Sequence, residues 1–531
     1  MVKVKQQGDL IGNINKYKIM LRFQITEDQQ WMLLVEATDE VEKKQIEISL
    51  TQKINNFFFH PLVKKKIWDG AICFIEKKGT IWRVPIGLWR EVMEIGDKYK
   101  IQIEINGLEN IILSNPTLDE FTEWANEFFK DGVGGDPDKK LRPYQIETAW
   151  KIIRYRYSIS EVATSAGKTL ICFMILAYLK HRGWIRKFLM IVPTTNLVFQ
   201  GNDDFEEYGI AQVGSKIQQI GGGTKLKEDR DVIIGTFQSL VKKEREFFDN
   251  VDAVFVDEAH HTNSNSIKKI VAQCMGAKWR FGLTGTLTKK GTADYLTIQQ
   301  FLGPLVVEIP PSFLFENDYA TPVSIKIVVM DWLEDEYKEK LADLKLNTNN
   351  VEGNDVYNIE RKLVTESKKR LNFIVDFIGK TSKNSLVLFQ SVQNEYGKDI
   401  YNLLREKNSD KEVFYVDGDT SEALREEYKK RMSSGGNKIL VATYGTFSTG
   451  ISINNLHNIF LVESYKSEVL IKQSLGRGMR KMLDKEKVNI IDFVDDFSTK
   501  KYKSYLMKHS EVRIEIYKKE RFEYKIYNVK L

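Results

Sequence analysis

Glu161-Val162-Ala163-Thr164-Ser165-Ala166-Gly167-Lys168-Thr169-Leu170-Ile171-Cys172-Phe173-Met174-Ile175-Leu176-Ala177-Tyr178-Leu179 runs from a β-like stretch, through a loop of small residues, into an apolar helix. A strand that turns through Gly-Lys-Thr into a helix has the local geometry of a phosphate-binding loop. Backbone N–H groups at the helix start face the phosphate oxygens and the helix dipole adds to their pull. In that reading Thr164, Ser165, Ala166 and Gly167 form the cradle, Lys168 reaches the β- and γ-phosphates of ATP, and the Thr169 hydroxyl sits on Mg²⁺. Val162 stands where the pattern G-x-x-x-x-G-K-[ST] has its first glycine, so the match is incomplete. A glycine-lysine helix start without a ligand is the competing reading, and the strand–loop–helix context favours the phosphate.

Outward from this loop, apolar strands alternate with amphipathic helices between about 140 and 312. The expected strands are Glu161–Thr164, Phe188–Pro193, Val232–Gly235, Ala253–Asp257 and Arg280–Thr284. From about 320 to 497 the alternation recurs, with strands at Ser385–Gln390, Val413–Asp417, Lys438–Ala442, Asn458–Glu463 and Val488–Phe493. Such alternation predicts parallel, doubly wound α/β sheets, here two in tandem. Residues 1–115 instead carry short β-like runs and turns, a small α+β domain. There Ala71–Glu76 and Thr80–Val84 around Lys77-Lys78-Gly79 read as a hairpin. Residues 116–139 form a polar connector broken by Asp131-Gly132-Val133-Gly134-Gly135-Asp136-Pro137. The α/β domains take 140–315 and 316–497, and the Lys- and Tyr-rich tail 498–531 is expected to be helical.

Composition narrows the function classes. A chain of 531 residues with 42% hydrophobic and 29% charged residues has the make-up of a soluble multidomain protein. A net charge of +6 permits nucleic-acid binding without establishing it. Cys73, Cys172 and Cys274 are far apart and form no CxxC pair, which argues against a zinc site or a disulfide framework. The start, MVKVKQQGDL, has no apolar signal region, and Leu170–Leu179 falls short of the roughly 20 residues that span a bilayer. The chain is therefore expected to be cytoplasmic.

Some ninety residues past the loop, the apolar run Val254-Phe255-Val256 ends in Asp257-Glu258-Ala259-His260. A carboxylate at the carboxyl end of a strand can complete a Mg²⁺ shell, the role expected of Asp257. Glu258 is placed to orient or deprotonate the attacking water. A lone Asp-Glu is commonly a solvated strand end, and the pairing with a phosphate loop tips the balance. In the second α/β domain, Gln473-Ser474-Leu475-Gly476-Arg477-Gly478-Met479-Arg480 carries two arginines three apart, on one face if helical. Phosphoryl transfer gathers negative charge on the γ-phosphate, and an arginine supplied from elsewhere speeds it. Two surface arginines are the bland alternative; their position in a second α/β domain favours Arg477 and Arg480 as such fingers, with ATP in the cleft between the two α/β domains.

In this order the segments resemble those of superfamily 2 helicases and translocases. Leu141-Arg142-Pro143-Tyr144-Gln145 is similar to the adenine-reading segment, with Gln145 as base contact. Val162–Thr169 resembles motif I, Val192-Pro193-Thr194-Thr195 motif Ia, Gly235-Thr236-Phe237-Gln238 motif Ib, and Asp257–His260 a DEAH motif II. Thr284-Gly285-Thr286 stands where motif III has its hydroxyl triplet. Phe389-Gln390-Ser391 looks like motif IV, Val441-Ala442-Thr443-Tyr444 through Thr449-Gly450-Ile451-Ser452 like motif V, and Gln473–Arg480 like motif VI. The resemblance implies two RecA-like domains, ATP hydrolysis with Mg²⁺, and Gly450 at the nucleotide. DEAD-box RNA helicases have Asp where Ser452 stands and end motif II in Asp rather than His260. Finer features, among them Ile220-Gly221-Gly222-Gly223, Trp68-Asp69-Gly70 and the tail Asn528-Val529-Lys530-Leu531, are similar to those of phage recombination and branch-migration helicases.

That resemblance implies a DNA helicase acting on forks, Holliday junctions and R-loops in recombination, repair and replication. A phage source, the host cytoplasm, RNA in R-loops and a single-strand-binding or recombination protein as partner go with it. A duplex translocase that does not separate strands, and an RNA helicase, are the alternatives. Thr194, Thr236, Gly222, Gln390 and Thr443 are the expected nucleic-acid contacts, holding phosphates through hydroxyls and backbone N–H groups without reading sequence. Lys64-Lys65-Lys66-Ile67-Trp68 mixes cations with an aromatic ring and could grip a duplex; a solvated turn beside a core tryptophan is the equal alternative.

Overall fold

The computed structural model describes residues 21–37, 39–221, 223, 230–346, 353–390, 395–450, 453, 455–464 and 485–531. They divide into two compact units, one built on the chain up to Glu161 and Gly167–Glu308, the other on Val162–Ala166 and Ile309–Leu531.

Among the described residues the first unit opens with seven short strands: β1 (Leu21–Ile25), β2 (Trp31–Ala37), β3 (Thr51–Lys53), β4 (Ala71–Cys73), β5 (Glu76–Lys78), β6 (Ile81–Pro85) and β7 (Ile103–Asn106). Five make one mixed sheet in the order β5-β6-β2-β1-β7, and β3 pairs with β4. The expected hairpin is shorter than its sequence suggests. Lys78 faces Ile81 across a Gly79-Thr80 turn, and Ala71–Cys73 pairs with Thr51–Lys53 instead. This segment is bound into the unit. Leu21, Phe23, Met32, Val84 and Leu88 share a core with Tyr157, Tyr295 and Leu296. Gly87 packs so closely on the helix Ala293–Leu302 that a Cβ there would lie 2.0 Å from the Gln299 carbonyl oxygen. Arg90 donates to the Leu305 carbonyl at 2.5 Å, and Lys290 meets Glu94 at 2.7 Å.

Seven further strands form a larger sheet: β8 (Tyr157–Val162), β9 (Phe188–Val192), β10 (Ile217–Ile220), β11 (Val232–Thr236), β12 (Ala253–Asp257), β13 (Trp279–Thr284) and β14 (Leu305–Ile309), in the order β10-β11-β9-β12-β13-β8-β14. The pairs from β10 to β8 are parallel. Central strands such as Phe188–Val192 are buried on both faces, which is why they read as unbroken apolar runs.

The second unit repeats the design with β15 (Val323–Asp331), β16 (Ser385–Phe389), β17 (Glu412–Val416), β18 (Lys438–Thr443), β19 (Asn458–Leu461), β20 (Val488–Asp495) and β21 (Glu523–Lys530). Their order is β17-β18-β16-β19-β20-β15-β21, with every pair parallel. Numbered by rank within its own seven strands, each sheet runs 3-4-2-5-6-1-7. Two copies of one topology stand in tandem, so the expected pair of RecA-like sheets with a small N-terminal α+β region is what the chain forms.

The tail departs from its expected all-helical form. A helix, Tyr505–Lys519, is followed by β21, which pairs in parallel with β15 from Ser324 opposite Glu523 to Asp331 opposite Lys530. The seventh strand of the second sheet is thus the counterpart of β14. The helix is held by buried polar groups. Arg513 meets both oxygens of Asp492 at 2.8 Å, the Tyr517 hydroxyl donates to Asp492 at 2.9 Å, and Glu360 accepts from Ser504, Tyr505 and Leu506 at 2.9–3.1 Å. Among the described residues no helix is long and apolar enough to cross a membrane.

Candidate nucleotide site and strand-end contacts

In the first sheet the loops after β8, β9, β11, β12 and β13 all leave at the carboxyl ends of their strands, where α/β sheets bind ligands. Val162 is the last residue of β8, fully buried, so the missing first glycine of the loop is a strand residue here. The backbone then turns through two left-handed residues, Ser165 at φ +71° and Gly167 at φ +88°. Gly167 caps the helix Lys168–His181, whose residues from Leu170 to Leu179 are all buried. A Cβ on Gly167 would meet Gln145 Nε2 at 2.4 Å. Gln145, from the first turn of the helix Pro143–Arg154, is buried, and its side-chain oxygen accepts from the Arg142 N–H at 3.0 Å. The residue expected to read the base therefore lies against the residue expected to cradle phosphate.

Lys168 Nζ is 3.3 Å from Glu258 Oε1, with both side chains less than a fifth exposed. Glu258 holds a left-handed backbone at φ +51°, uncommon for a side-chain-bearing residue and a kind of strain that gathers at functional sites. Its N–H donates to Asp257 Oδ1 at 3.0 Å. Burial, with the neighbouring Glu258 charge, pushes the Asp257 carboxyl up to about 7. Burial also pushes on Glu258, but the charge and hydrogen bond of Lys168 outweigh it and hold that carboxyl below its ordinary range. The two neighbours are thereby pushed apart, Asp257 toward keeping a proton and Glu258 toward staying ionised.

His260 and Thr284 extend this cluster. His260 Nδ1 is 2.9 Å from Thr284 Oγ1, and that hydroxyl donates to the Thr286 carbonyl at 2.8 Å. With its proton so placed, Thr284 accepts from His260, which fixes the Nδ1–H tautomer. Burial lowers His260 to about 4, in keeping with a neutral ring. Thr284 Oγ1 also lies 3.4 Å from Glu258 Oε2. The loop after β13 is thus tied to the loop after β12 through a positioning pair that the sequence names only as motif members.

The donors at Thr169 and Asp257 suit Mg²⁺, which takes one or two protein oxygens and fills its shell with water and substrate phosphates. Among the described residues no group of three or more His, Cys, Asp or Glu gathers as a protein-only metal cage.

The expected nucleic-acid residues fall at matching places in the two sheets. Thr194 follows the second strand of the first sheet and Gln390 the second strand of the second; Thr236 and Thr443 each end a fourth strand. Thr194 is the N-cap residue of the helix Thr195–Tyr208. Thr236 Oγ1 accepts from the Ser239 N–H at 3.3 Å and Thr443 Oγ1 from the Thr446 N–H at 3.2 Å. Both hydroxyls are buried caps, so they are not the freely presented groups the sequence suggests. The Gln390 N–H donates to Glu463 Oε2 at 2.7 Å. Gly450 ends the helix Tyr444–Gly450. Gly222, Arg477 and Arg480 lie outside the described residues. In the N-terminal segment Trp68 is committed to structure, its Nε1–H donating to the Ala71 carbonyl at 2.8 Å, while Lys64, Lys65 and Lys66 are exposed.

Two parallel sheets of one topology, the first carrying a Gly-Lys-Thr helix start, a buried glutamine packed against it and an Asp-Glu-Ala-His strand end, are the build of a helicase motor. The chain belongs to the superfamily 2 helicases and is an ATP-hydrolysing helicase. Residues 138–289 match the family described as "Type III restriction enzyme, res subunit", and residues 369–482 the "Helicase conserved C-terminal domain". The chain is 30% identical over 498 residues to the ATP-dependent DNA helicase uvsW of Enterobacteria phage T4, covering 90% of this chain and 93% of that one. It is 24% identical over 412 residues to the DNA 3'-5' translocase XPB2 of Sulfurisphaera tokodaii, covering 73% and 86%. Among solved structures, the DNA-bound Type ISP restriction-modification enzyme LlaBIII superposes with a TM-score of 0.54 at 15% identity, over 74% of this chain and 32% of that one, a likeness of fold.

Proposed function

We propose that the chain is an ATP-driven DNA motor that unwinds or branch-migrates forks, Holliday junctions and R-loops. The observation that carries this reading is the likeness to the phage T4 DNA helicase across nine-tenths of the chain, the N-terminal segment included. In the reaction, Lys168 exchanges Glu258 for the β- and γ-phosphates. Glu258, released and ionised, orients the attacking water. Thr169 and Asp257 would hold Mg²⁺, which would supply charge neutralisation on the phosphates. Gln145 reads the base, and Thr164, Ser165, Ala166 and Gly167 present N–H groups to the phosphates. Gly450 lines the nucleotide, and Arg477 and Arg480 stabilise the charge that builds on the γ-phosphate.

Thr194, Gln390 and Gly222 contact the nucleic-acid backbone. At Thr236 and Thr443, where the hydroxyls are caps, N–H groups of the following helical turn serve instead. The partners proposed are branched DNA, the RNA of R-loops and a single-strand-binding or recombination protein of a phage-infected cell's cytoplasm. Likeness to a DNA translocase favours a second reading, movement on duplex without strand separation.

ATPase rates measured with no nucleic acid, single-stranded DNA, a four-way junction and structured RNA test the reading. The junction or the single strand should stimulate most; stimulation by RNA alone would overturn the DNA substrate. Displacement of a labelled strand from the junction separates unwinding from translocation.

A further inference from the structure

The second sheet bears a cavity of about 920 Å³ at the end opposite its helicase motifs. Gln390, Thr443 and Glu463 lie at the carboxyl ends of β16, β18 and β19, whereas the cavity is lined at the amino ends by Lys383 before β16, Asn458 opening β19 and Lys487 before β20. A five-residue strand puts roughly 15 Å between the two ends.

One wall is a face of the sheet. Lys326 and Ile491 stand side by side on neighbouring strands, as Asn489 and Asn458 do two residues earlier. The other wall is the last turns of the helix Lys368–Gly379, through Phe377, and Lys380 beyond them. Lys411 donates to the Gly379 and Thr381 carbonyls at 2.6 and 2.7 Å, so a cation already meets the negative end of that helix.

The charges around the cavity are unbalanced. Lys326, Lys380, Lys383 and Lys487 are exposed around it. Of its two carboxylates, Asp376 is engaged by Lys407 at 2.9 Å, and Glu486 is the other. Among the described residues Lys326, Lys380 and Lys383 meet no carboxylate, and Lys487 has only an exposed contact with Glu523 at 3.6 Å, which is worth little. Across the strand pair Lys326 stands directly opposite Lys525, a like-charge placement that costs stability unless an anion lies between. The polar amides are spent internally. Asn458 Nδ2 donates to the Ser382 carbonyl at 2.8 Å, and Asn489 Nδ2 to Asn458 Oδ1 at 3.3 Å. What the cavity offers a ligand is thus chiefly cation, four lysines against one carboxylate that is not already paired, the chemistry of backbone phosphate recognition.

We propose that this lysine groove is a second nucleic-acid site, holding the phosphates of an arm of a branched substrate other than the strand on the motif edge. The assignment rests on the motor reading above for its substrate. A strand lying along the carboxyl ends of the sheet does not reach its amino ends, so phosphates held at both belong to different segments.

The test uses the full chain with Lys380→Gln, Lys383→Gln and Lys487→Gln combined. Binding to a four-way DNA junction and to a single strand of equal length is measured from 50 to 200 mM salt. The junction should lose about tenfold in affinity, and its slope of log K on log salt should flatten by about two to three, since each phosphate contact contributes about 0.9. Affinity for the single strand should stay within twofold, and the triple Lys→Arg chain should restore junction binding. An unchanged junction slope, or an equal loss on both ligands, overturns the second site. Because binding needs no hydrolysis, this outcome is independent of the motor reading, which fails separately if no DNA stimulates ATPase of the unmodified chain.

Discussion

At the residue scale, the chemistry concentrates in a few side chains whose identities are legible and whose pairings are not. Gly167-Lys168-Thr169 and Asp257-Glu258 stand out in sequence because they occur together, a small-residue loop opening a helix and an abruptly acid strand end some ninety residues on. That Lys168 meets Glu258, and His260 meets Thr284, depends on bringing together segments 90 and 24 residues apart, which no local pattern encodes. The threonines mislead for the same reason. Thr236 and Thr443 look like offered hydroxyls until the following turn folds back and uses them as caps. Replacing Glu258 with Gln keeps the shape and removes the charge that orients water. ATP-hydrolysis turnover should fall by about 10²- to 10⁴-fold while a fluorescent nucleotide still binds; a variant that turns over normally would take Glu258 out of this role. His260 supplies a pH signature. An unfolded imidazole takes a proton near pH 6.5, whereas the folded one resists until about 4. Its contribution to stability is therefore full above pH 6.5 and drains away as pH falls toward 4, by at most about 3 kcal/mol. Melting followed at pH 7.5 and 4.5 should show a smaller acid loss in His260→Asn than in the unmodified chain, and parallel losses would exclude the effect.

At the scale of elements, strands buried on both faces read plainly, and edge strands do not. β9 is apolar throughout, and β12 and β16 are apolar but for the terminal Asp257 and Ser385, so their runs are unmistakable. β10 carries two glutamines in four residues, and β21, exposed along most of both faces, alternates Lys, Tyr and Glu with only Ile526 and Val529 as aliphatic residues. No hydrophobic period marks such a strand; its place is set by pairing with β15, a contact some 200 residues away in sequence. The helix before it depends on the Arg513–Asp492 pair, whose side chains are essentially buried. Removing one member leaves an uncompensated buried charge, which costs about 3–5 kcal/mol. Arg513→Met should therefore lower the melting temperature by about 10 °C. The double change Arg513→Met with Asp492→Leu should recover most of that loss, because neither charge is then stranded. A double variant as unstable as the single would mean that the pair orders the tail by its geometry rather than by mutual neutralisation.

At the scale of the whole molecule, the recurring order 3-4-2-5-6-1-7 raises the question of how many nucleotides one chain uses. Topology alone offers two candidate sites, since both sheets present first- and fifth-strand ends on the edge where α/β folds bind ligands. The residues there differ. The first strand of the leading sheet runs into Thr164–Thr169, with glycine at the helix cap and lysine next to it. The first strand of the second sheet ends in Asp331-Trp332, where Asp331 is engaged by Lys338 at 2.6 Å and the Trp332 Nε1–H donates to Asp495 at 2.8 Å. An acidic strand end repels phosphate, and no glycine-lysine helix start follows it. At the fifth strand, Asp257-Glu258 in the first sheet corresponds by register to Val462-Glu463 in the second, where the Glu463 carboxylate already accepts from the Gln390 N–H. The duplicated fold therefore carries the Gly-Lys-Thr helix start on one sheet and, at the matching strand end of the other, a carboxylate already engaged by Lys338. Titration of the full chain with a non-hydrolysable ATP analogue should give one site per chain, and Lys168→Ala should weaken that site without exposing another. A second equivalent of bound nucleotide, or residual tight binding in Lys168→Ala, would mean that the second sheet's first-strand edge accepts phosphate despite Asp331, and that the asymmetry between the two copies lies elsewhere.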